Sequence, residues 1–219
     1  MDGAANDAEK RLAARKAAEL VEDGMTVGLG TGSSVGFFLP ALAERRLDLR
    51  CVATSLATEA AARELGLRVE SFNGADALPR LDIAVDGADQ VAPDGWLVKG
   101  GGAAHTREKA VATAADRFVV IVSSDKLVPR IRPPVPLELL EYGLAATLRR
   151  LGAVELRDAP RSPDGGVIAD YTGEVNDPAE LAERLSRTVG VVEHGLFPPN
   201  LVSEVIVANA GVVEIRNVS

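Results

Sequence analysis

Residues 25–46 read MTVGLGTGSSVGFFLPALAERR and contain the pattern of a strand, a glycine-rich turn and a helix. The apolar segment MTVGLG (25–30) predicts a short strand that runs into a glycine-rich turn. SVGFFLPALAERR (34–46) predicts a helix, and Pro40 is the position where that helix is most open to a break. A strand joined to a helix by a tight turn is the building unit of α/β folds.

The same alternation extends in both directions. Residues 7–23 predict an amphipathic helix that ends at Gly24. The strands predicted further on are LRCVATS (49–55), LRVESF (67–72), LDIAVDGAD (81–89), WLVK (96–99) and RFVVIVSSD (117–125), and the helices are TEAAARELG (58–66) and AAHTREKAVATAA (103–115). Because these strands are nearly all apolar, we predict an α/β, Rossmann-like, mostly parallel sheet with helices on both faces.

A change of pattern follows at IRPPVPLEL (131–139), where the proline cluster predicts a boundary or crossover. The next segments predict a small α+β unit of the split βαβ, ferredoxin-like kind. They are the helix EYGLAATLRRLG (141–152), the strands AVELRD (153–158) and GVIADY (166–171), the helix DPAELAERLSRT (177–188) and the strand GVVEHGLF (190–197). SEVIVANA (203–210) and VVEIR (212–216) predict two strands that return to the main sheet. We therefore expect a catalytic domain of residues 1–131 and 204–219 and a small domain of residues 132–203.

Composition narrows the classes of function. The chain has 219 residues, with 24 Lys and Arg against 32 Asp and Glu, a net charge of −8. This balance argues against a nucleic-acid or anionic-membrane surface, so an anionic substrate needs a focused site. A single cysteine, Cys51, and the lack of a signal-peptide pattern favour the cytoplasm. Two histidines and one cysteine are too few for a typical zinc site, although a carboxylate-only metal site stays open.

Four loops fall at the carboxyl ends of predicted strands, where open α/β sheets bind ligands. They are GTGSS (30–34), TSLATE (54–59), DGADQ (86–90) and KGGGAAHTREK (99–109). In the first loop, amides at a helix N-terminus and the hydroxyls of Thr31, Ser33 and Ser34 predict an anion cradle. A plain tight turn remains the alternative. A dinucleotide fingerprint fits poorly, because it needs glycine where Ser33 stands.

The acidic and glycine-rich loops supply the reactive groups. Asp86 and Asp89 predict a carboxylate pair that faces the hydroxyls of a sugar, and a solvated turn with capping aspartates is the alternative. Three consecutive glycines, Gly100 to Gly102, allow a ligand to contact backbone between Lys99 and the helix that carries Glu108. Pairing of Glu108 with Arg107 or Lys109 on a solvated helix face is the alternative.

Three other side chains are less informative. We expect His105 to be a neighbour of the site and His194 to be a surface residue. Cys51, on an apolar strand, is expected to be a buried small hydrophobe.

Taken in order, GLGTGSS, TSLATE, DGADQ, KGGGAAHTREKAVA and SSDK resemble the type A family of ribose-5-phosphate isomerases over nearly the whole chain. The resemblance implies an isomerase that interconverts ribose 5-phosphate and ribulose 5-phosphate in the pentose phosphate pathway, without a metal or other cofactor. It implies a small-molecule sugar phosphate as partner, no nucleic acid or membrane, and a homodimer or homotetramer.

The resemblance also implies residue roles. Glu108 is the base that moves a proton between C1 and C2, Asp86 assists ring opening with Asp89, and Lys99 lies beside the reacting oxygens. The substrate-binding residues it implies are Thr31, Gly32, Ser33, Ser34, Asp86, Gly87, Ala88, Asp89, Lys99, Gly100, Gly101, Gly102 and Lys126. The chain departs from the family at Gln90 (usually glutamate), Ser34 (more often threonine), and His105 and Thr106 (frequently leucines).

Three other functions stay open. Similar folds occur in sugar-phosphate sensors, although the N-terminal segment leaves no room for a DNA-binding helix-turn-helix. Coenzyme A transferases of a related fold use a glutamate as nucleophile toward a thioester, a role open to Glu108. A nicotinamide dehydrogenase is the weakest alternative.

Overall fold

The computed structural model describes residues 3–218, which form six α-helices and thirteen β-strands. The helices are α1 (Gly3–Ala18), α2 (Ser33–Ala43), α3 (Leu56–Glu64), α4 (His105–Ala114), α5 (Leu144–Leu151) and α6 (Pro178–Ser186). The strands are β1 (Thr26–Leu29), β2 (Arg50–Ala53), β3 (Ile83–Asp86), β4 (Gln90–Val91), β5 (Leu97–Val98), β6 (Phe118–Ser123), β7 (Val135–Leu139), β8 (Val154–Leu156), β9 (Val167–Tyr171), β10 (Val191–His194), β11 (Leu196–Phe197), β12 (Glu204–Asn209) and β13 (Val212–Asn217).

The largest sheet has six strands in the order β13-β12-β6-β3-β1-β2. Neighbouring strands pair in parallel except β12 and β13, which form an antiparallel pair at one edge. The predicted mostly parallel sheet is confirmed, and so is the return of the last two strands to it. Every residue of β6 is buried, as expected for a strand covered on both faces.

Alternation along the strands divides the two faces of this sheet. Val27 and Leu29 of β1 belong to an apolar core that also contains buried residues of α1, α2 and α3. Gly28 and Ala84 point to the other face, where the side chain of Val111 on α4 packs against them. Helices therefore cover both faces, as predicted.

The first helix differs from its prediction, because α1 begins at Gly3 and ends at Ala18 rather than spanning 7–23. The guanidinium of Arg45 donates hydrogen bonds to the carbonyls of Ala18 and Val21, which satisfies groups that a helix end leaves unpaired. Gly24 lies beyond this end in a turn of positive φ. The second helix agrees with its prediction and continues through Pro40.

A second sheet contains β7, β8, β9 and β10 in the order β10-β7-β9-β8, and all its pairs are antiparallel. With α5 after β7 and α6 after β9, this is the order that a split βαβ unit produces, so that prediction is confirmed. Strand β7 was missed, because its sequence VPLEL belongs to the proline-rich segment interpreted as a crossover. Its Val135, Leu137 and Leu139 face the apolar core beneath α5 and α6.

Two predicted strands take another form. GVVEHGLF is not one strand, since it divides at Gly195 into β10 and β11, which belong to different sheets. Strand β11 joins β5 and β4 in a third, three-stranded sheet that was not predicted. LRVESF contributes only an isolated bridge from Val69 to Cys51 rather than a strand.

The chain packs as two compact units. Among the described residues, the first contains 3–88, 107–127 and 200–218, and the second contains 89–106 and 128–199. Segment 89–106 therefore packs with the second unit, whereas the predicted catalytic domain included it. The domain boundaries at residues 131 and 203 stay a prediction.

Candidate active site

The turn between β1 and α2 is held by threonine hydroxyls of the first unit. The hydroxyls of Thr31 and Thr54 lie 2.7 Å apart, and the hydroxyl of Thr58 donates to the carbonyl of Gly30 at 2.8 Å. Gly32 has a φ of 110°, a conformation that favours glycine, directly before the helix begins. These contacts fix the loop that was predicted to bind an anion.

The start of α2 has the features of an anion site. Ser33 is exposed and Ser34 partly exposed at the first turn of this 11-residue helix. Backbone N–H groups and the positive end of the helix dipole favour a negative ligand there. Gly87 lies beside Ser34, since a Cβ on Gly87 would be 3.6 Å from that of Ser34. The GTGSS and DGAD motifs thus meet at one edge of the sheet.

Asp86 ends β3 and is only 2 % exposed. Its Oδ1 accepts hydrogen bonds from the backbone N–H of Thr31 at 3.0 Å and of Gly87 at 2.7 Å. Gly30 allows this approach, because a Cβ on it would lie 2.0 Å from Cγ of Asp86. The carboxylate is therefore an ordered part of the β1–α2 turn rather than a solvated loop group.

Helix α4 runs antiparallel to β1 and β3. Ala114, at its end, accepts a hydrogen bond from the N–H of Leu81, just before β3. One turn earlier, Val111 packs against Gly28 and Ala84, in the middle of β1 and β3. The N-terminal part of α4 therefore lies toward the carboxyl ends of these strands.

The position of Glu108 follows from this orientation of α4. It precedes Val111 by three residues, so it shares its helix face and lies about 4.5 Å further along the axis. Asp86 is two residues beyond Ala84 on β3, about 6.6 Å in the same direction. Glu108 is 4 % exposed, which rejects the alternative of a solvated helix face for this carboxylate. Two buried carboxylates of the first unit are thus at a similar level.

Lys126 lies at the same edge of the sheet. It follows β6, the neighbour of β3, in a short 3₁₀ turn of residues 124–126. Its Nζ is 3.5 Å from a carboxylate oxygen of Asp125, and its side chain is 35 % exposed. A partly exposed cation here suits an anionic ligand at the carboxyl ends of the strands.

In the second unit, Lys99 follows β5 and is 2 % exposed. Its N–H donates to the carbonyl of Gly195 at 2.8 Å, and its Nζ is 5.6 Å from the centre of the Phe197 ring. A Cβ on Gly195 would lie 2.1 Å from the Lys99 carbonyl oxygen, so glycine is required there. The ammonium group is therefore ordered by β5 and β11.

The glycine run is partly explained by the protein itself. A Cβ on Gly100 would lie 2.7 Å from Nδ1 of His105 and 2.8 Å from Cβ of Pro136, and Gly100 has a φ of 105°. The N–H of Gly101 donates to the carboxylate of Asp89 at 2.8 Å. Gly101 and Gly102 are exposed and Gly100 is buried. Only Gly101 and Gly102 thus expose backbone to a ligand.

The two aspartates of DGAD have different environments. Asp86 is buried among amides of the first unit, as described above, whereas Asp89 is exposed. The Asp89 carboxylate orders Gly101 in the second unit. The two carboxylates of the predicted pair therefore lie in different environments.

The family departures Gln90 and Thr106 have structural partners in the second unit. Gln90 donates to the carbonyl of Arg132 at 2.8 Å and accepts from its N–H at 3.0 Å. Thr106 donates to the buried carboxylate of Glu138, which also accepts from the hydroxyl of Ser162 at 2.5 Å. These side chains stabilise the segments before and after the glycine run.

The expectation that His194 is a surface residue is wrong. His194 is buried, and its Nδ1 accepts the N–H of Leu196 at 3.2 Å. Its proton is therefore on Nε2, 3.0 Å from the hydroxyl of Ser186. As a hydrogen-bond donor to that serine, His194 does not act as its base. His105 begins α4 and is also buried.

Sequence reasoning missed several residues around the predicted site. Thr54 and Thr58 lie in TSLATE, a loop that was singled out without a role for either side chain. Arg157 and Asp170 bind each other and Arg157 also binds the glycine loop. No motif marks these two residues, and only the pairing of distant segments shows their relation.

Two further observations concern metal ions and membranes. Among residues 3–218, no three His, Cys, Asp or Glu side chains are grouped so as to hold a metal ion. The helices in the described part of the chain are each too short or too polar to span a bilayer.

Comparison with known proteins places the chain in a family. The model of ribose 5-phosphate isomerase A (phosphoriboisomerase A) matches residues 50–211. Ribose-5-phosphate isomerase A of Natronomonas pharaonis is 43 % identical over 224 residues, which cover 96 % of this chain and 97 % of the relative.

Solved structures agree. Ribose 5-phosphate isomerase A from Neisseria gonorrhoeae superposes with a TM-score of 0.91 at 30 % identity and covers 98 % of both chains. A D-ribose-5-phosphate isomerase in complex with phospho-erythronic acid gives a TM-score of 0.90 at 32 % identity, over 97 % of this chain and 99 % of that one. The chain therefore belongs to the ribose 5-phosphate isomerase A family.

Proposed function

We propose that this protein interconverts D-ribose 5-phosphate and D-ribulose 5-phosphate through an enediolate, with Glu108 as the general base. Membership of a family of aldose–ketose isomerases supports the reaction. The observation that carries the residue assignment is the buried carboxylate of Glu108, which α4 holds at the level of Asp86. A base in this position can reach a carbon-bound hydrogen of a substrate that is held at the carboxyl ends of the strands.

The phosphate of the substrate binds at the start of α2. Amides of the first turn and the hydroxyls of Ser33 and Ser34 are its donors, and Lys126 adds positive charge from the end of β6. The phosphate takes no part in bond changes. Its binding energy instead holds the reacting carbons in place, which is the use of remote binding energy in catalysis.

Ring opening precedes isomerisation, because a pentose phosphate is largely cyclic in water. We assign this step to Asp86, whose carboxylate is oriented by the amides of Thr31 and Gly87. Moving a proton between the ring oxygen and the anomeric hydroxyl requires one group that accepts and returns it. Asp89 is the second carboxylate of the motif and supports the step through the glycine loop that it orders.

Proton transfer between C1 and C2 is the central step. A hydrogen on carbon beside a carbonyl is far less acidic than a carboxylic acid, so Glu108 needs help from groups that stabilise the enediolate. Lys99 and the amide of exposed Gly102 supply it, and one such aimed donor is commonly worth about 3–4 kcal/mol. Glu108 then returns the proton to the neighbouring carbon.

The direct test is turnover of ribose 5-phosphate by the purified protein, followed as ribulose 5-phosphate in ²H₂O, with and without chelator. We expect turnover in both samples and solvent deuterium on carbon, because a carboxylate exchanges its proton with water. Complete retention of the substrate hydrogen together with loss of activity in chelator contradicts the carboxylate mechanism. Such a result indicates a metal-assisted hydride shift.

The same assay separates the other functions. A sugar-phosphate sensor binds ribose 5-phosphate without turnover, and a coenzyme A transferase acts only when a thioester is supplied. Binding of NAD with hydride transfer supports the dehydrogenase instead. Each of these results rejects the isomerase, because only an isomerase converts ribose 5-phosphate unaided.

A further inference from the structure

Arg157 connects two parts of the second unit through one guanidinium. It follows β8, and its Nε and Nη2 donate to the two carboxylate oxygens of Asp170 at 3.0 and 2.5 Å. Its Nη1 donates to the carbonyl of Gly100 at 2.9 Å and to that of Gly101 at 3.2 Å. One side chain thus links strand β9 to the backbone of the glycine loop.

The register of the four-stranded sheet places the Arg157–Asp170 pair on the same face as the glycine loop. Asp170 of β9 is opposite Pro136 of β7, and Pro136 contacts Gly100. Their neighbours Ala169 and Leu137 point to the opposite face, into the apolar core. The glycine loop therefore lies on the face of the four-stranded sheet from which Asp170 projects.

The environment favours an ordered pair. The side chains of Arg157 and Asp170 are only 22 % and 20 % exposed. A bidentate arginine–carboxylate pair has fixed geometry, unlike most surface ion pairs, which contribute little. Because Asp170 fixes the plane of the guanidinium, the direction of Nη1 toward the two carbonyls is fixed as well.

Peptide geometry carries this order to the amides. In a trans peptide the C=O and N–H groups point in opposite directions in one plane. A Gly100 carbonyl held by Arg157 therefore turns the N–H of Gly101 the other way, and that N–H meets Asp89 at 2.8 Å. By the same geometry, holding the Gly101 carbonyl turns the N–H of Gly102 away from Arg157.

We propose that Arg157, fixed by Asp170, is a positioning residue that orders the glycine loop and aims the amide of Gly102, so that the loop presents a preformed donor to an enediolate oxygen. This role rests on the proposed function, in which this amide stabilises the enediolate. Arg157 acts through the loop and has no proposed contact with substrate. Glycines at 100 to 102 lack side-chain restraints on the backbone. The Gly100 carbonyl is also held within the loop by the N–H of Ala103 at 3.0 Å, so the restraint that Arg157 adds falls mainly on the Gly101 carbonyl.

The experiment compares Arg157→Met, which removes the donors and keeps most of the stem, with Arg157→Lys. Arg161→Met is the matched control, because Arg161 in the same unit also pairs with a carboxylate, that of Glu141, and donates to a carbonyl, that of Gly165. Arg161 has no contact with the glycine loop among its described hydrogen bonds. Turnover, thermal stability and binding of two probes are measured for each protein.

We expect Arg157→Met to lower kcat about 10- to 100-fold, since small misplacement of catalytic groups has effects of this size. KM should change less than about threefold, because the phosphate site is unaffected. Affinity for phospho-erythronic acid, whose planar carboxylate resembles an enediolate, should fall with kcat/KM, while affinity for inorganic phosphate should not. Arg157→Lys, which keeps one charged donor, should recover part of kcat.

Equal kcat in Arg157→Met and Arg161→Met overturns the proposal, as does a parallel loss of affinity for both probes. If Arg157→Met does not fold, the kcat of Arg157→Lys decides between the same outcomes. Amide chemical shifts of Gly101 and Gly102 give a readout independent of activity: they should move in the Arg157 variants and not in Arg161→Met. Unmoved shifts reject the positioning role, whereas an inactive wild-type protein with moved shifts rejects only the proposed function.

Discussion

The carboxylate of Asp86 accepts the backbone N–H of Thr31 at 3.0 Å, a hydrogen bond that joins the ends of β3 and β1. Gly30, the residue before Thr31, has no side chain, and a Cβ there would lie 2.0 Å from Cγ of Asp86. The turn assigned to phosphate binding and the carboxylate assigned to ring opening therefore fit together only around a glycine. Under the proposed function, this relation couples substrate binding to ring opening within the first unit.

Gly30→Ala should consequently displace Asp86 and lower kcat/KM about tenfold or more. The overlap should also reduce the free energy of unfolding by about 1–3 kcal/mol. Gly36→Ala on α2 is the control, because its Cβ meets no atom within 4 Å. That variant should be fully active and about 0.5–1 kcal/mol more stable. Full activity in Gly30→Ala, measured beside this control, contradicts the coupling.

Lys99→Met should reduce kcat about 10²- to 10³-fold, the usual effect of removing one donor to a developing oxyanion. Methionine has a flexible apolar side chain of similar length and adapts well to a buried position, so the fold should be preserved. Lys126→Met provides the contrast, because its partly exposed cation is assigned to phosphate binding and its loss should mainly raise KM. Steady-state kinetics of both variants test the two assignments. A rise in KM for Lys99→Met together with a fall in kcat for Lys126→Met rejects both.

Glu9 of α1 should stabilise the first unit in a pH-dependent way. Burial raises the pKa of this carboxyl, but hydrogen bonds from Ser124 and Ala210 outweigh it and lower the pKa below its ordinary value. A depressed pKa gives stability that is present above the unfolded-state value, about 4.3, and is lost as the pH falls through the folded-state value. Glu9→Gln should therefore reduce the free energy of unfolding at pH 7 by about 1–3 kcal/mol.

Denaturant titrations from pH 7 to pH 3 test this effect. The difference between the wild type and Glu9→Gln should shrink as the pH falls below about 4. Glu19→Gln, an exposed position just beyond α1, should show little difference at any pH. A Glu9 difference that grows in acid contradicts the hydrogen-bonded carboxylate.

Cys51 should be unreactive in the native protein. Burial raises the pKa of its thiol to about 12, so almost no thiolate is present at neutral pH. Ellman's reagent at pH 8 should label the native protein only as fast as it unfolds and should label it at once in guanidinium chloride. Rapid native labelling contradicts the buried position on β2.

Much of the fold follows from local pattern. The apolar strands and the glycine turn at residues 25–46 predicted the parallel sheet, because buried parallel strands have continuous apolar sequences. What local pattern missed depends on distant partners. The end of α1 is bound by Arg45, a residue distant in the sequence, and β7 was hidden by the prolines around Val135, although its alternate residues face a core.

The site shows the same division. Glu108 and Asp86 were predicted from their motifs, whereas their burial is seen only in the structure, in which Val111 of α4 packs on Gly28 of β1. Arg157 has no sequence signal, since its role depends on the register that places Asp170 opposite Pro136. Side chains that bind backbone far along the chain are the hardest to predict from sequence.

If the Glu108 carboxylate moves the proton between C1 and C2, replacing it with an amide removes the base, and turnover by Glu108→Gln measures this. Glutamine keeps the size of the buried side chain and removes the base, so inorganic phosphate should still bind. Exposed Glu64→Gln is the matched control. We expect no measurable isomerisation of ribose 5-phosphate by Glu108→Gln, with full activity in Glu64→Gln. Wild-type turnover by Glu108→Gln contradicts the account.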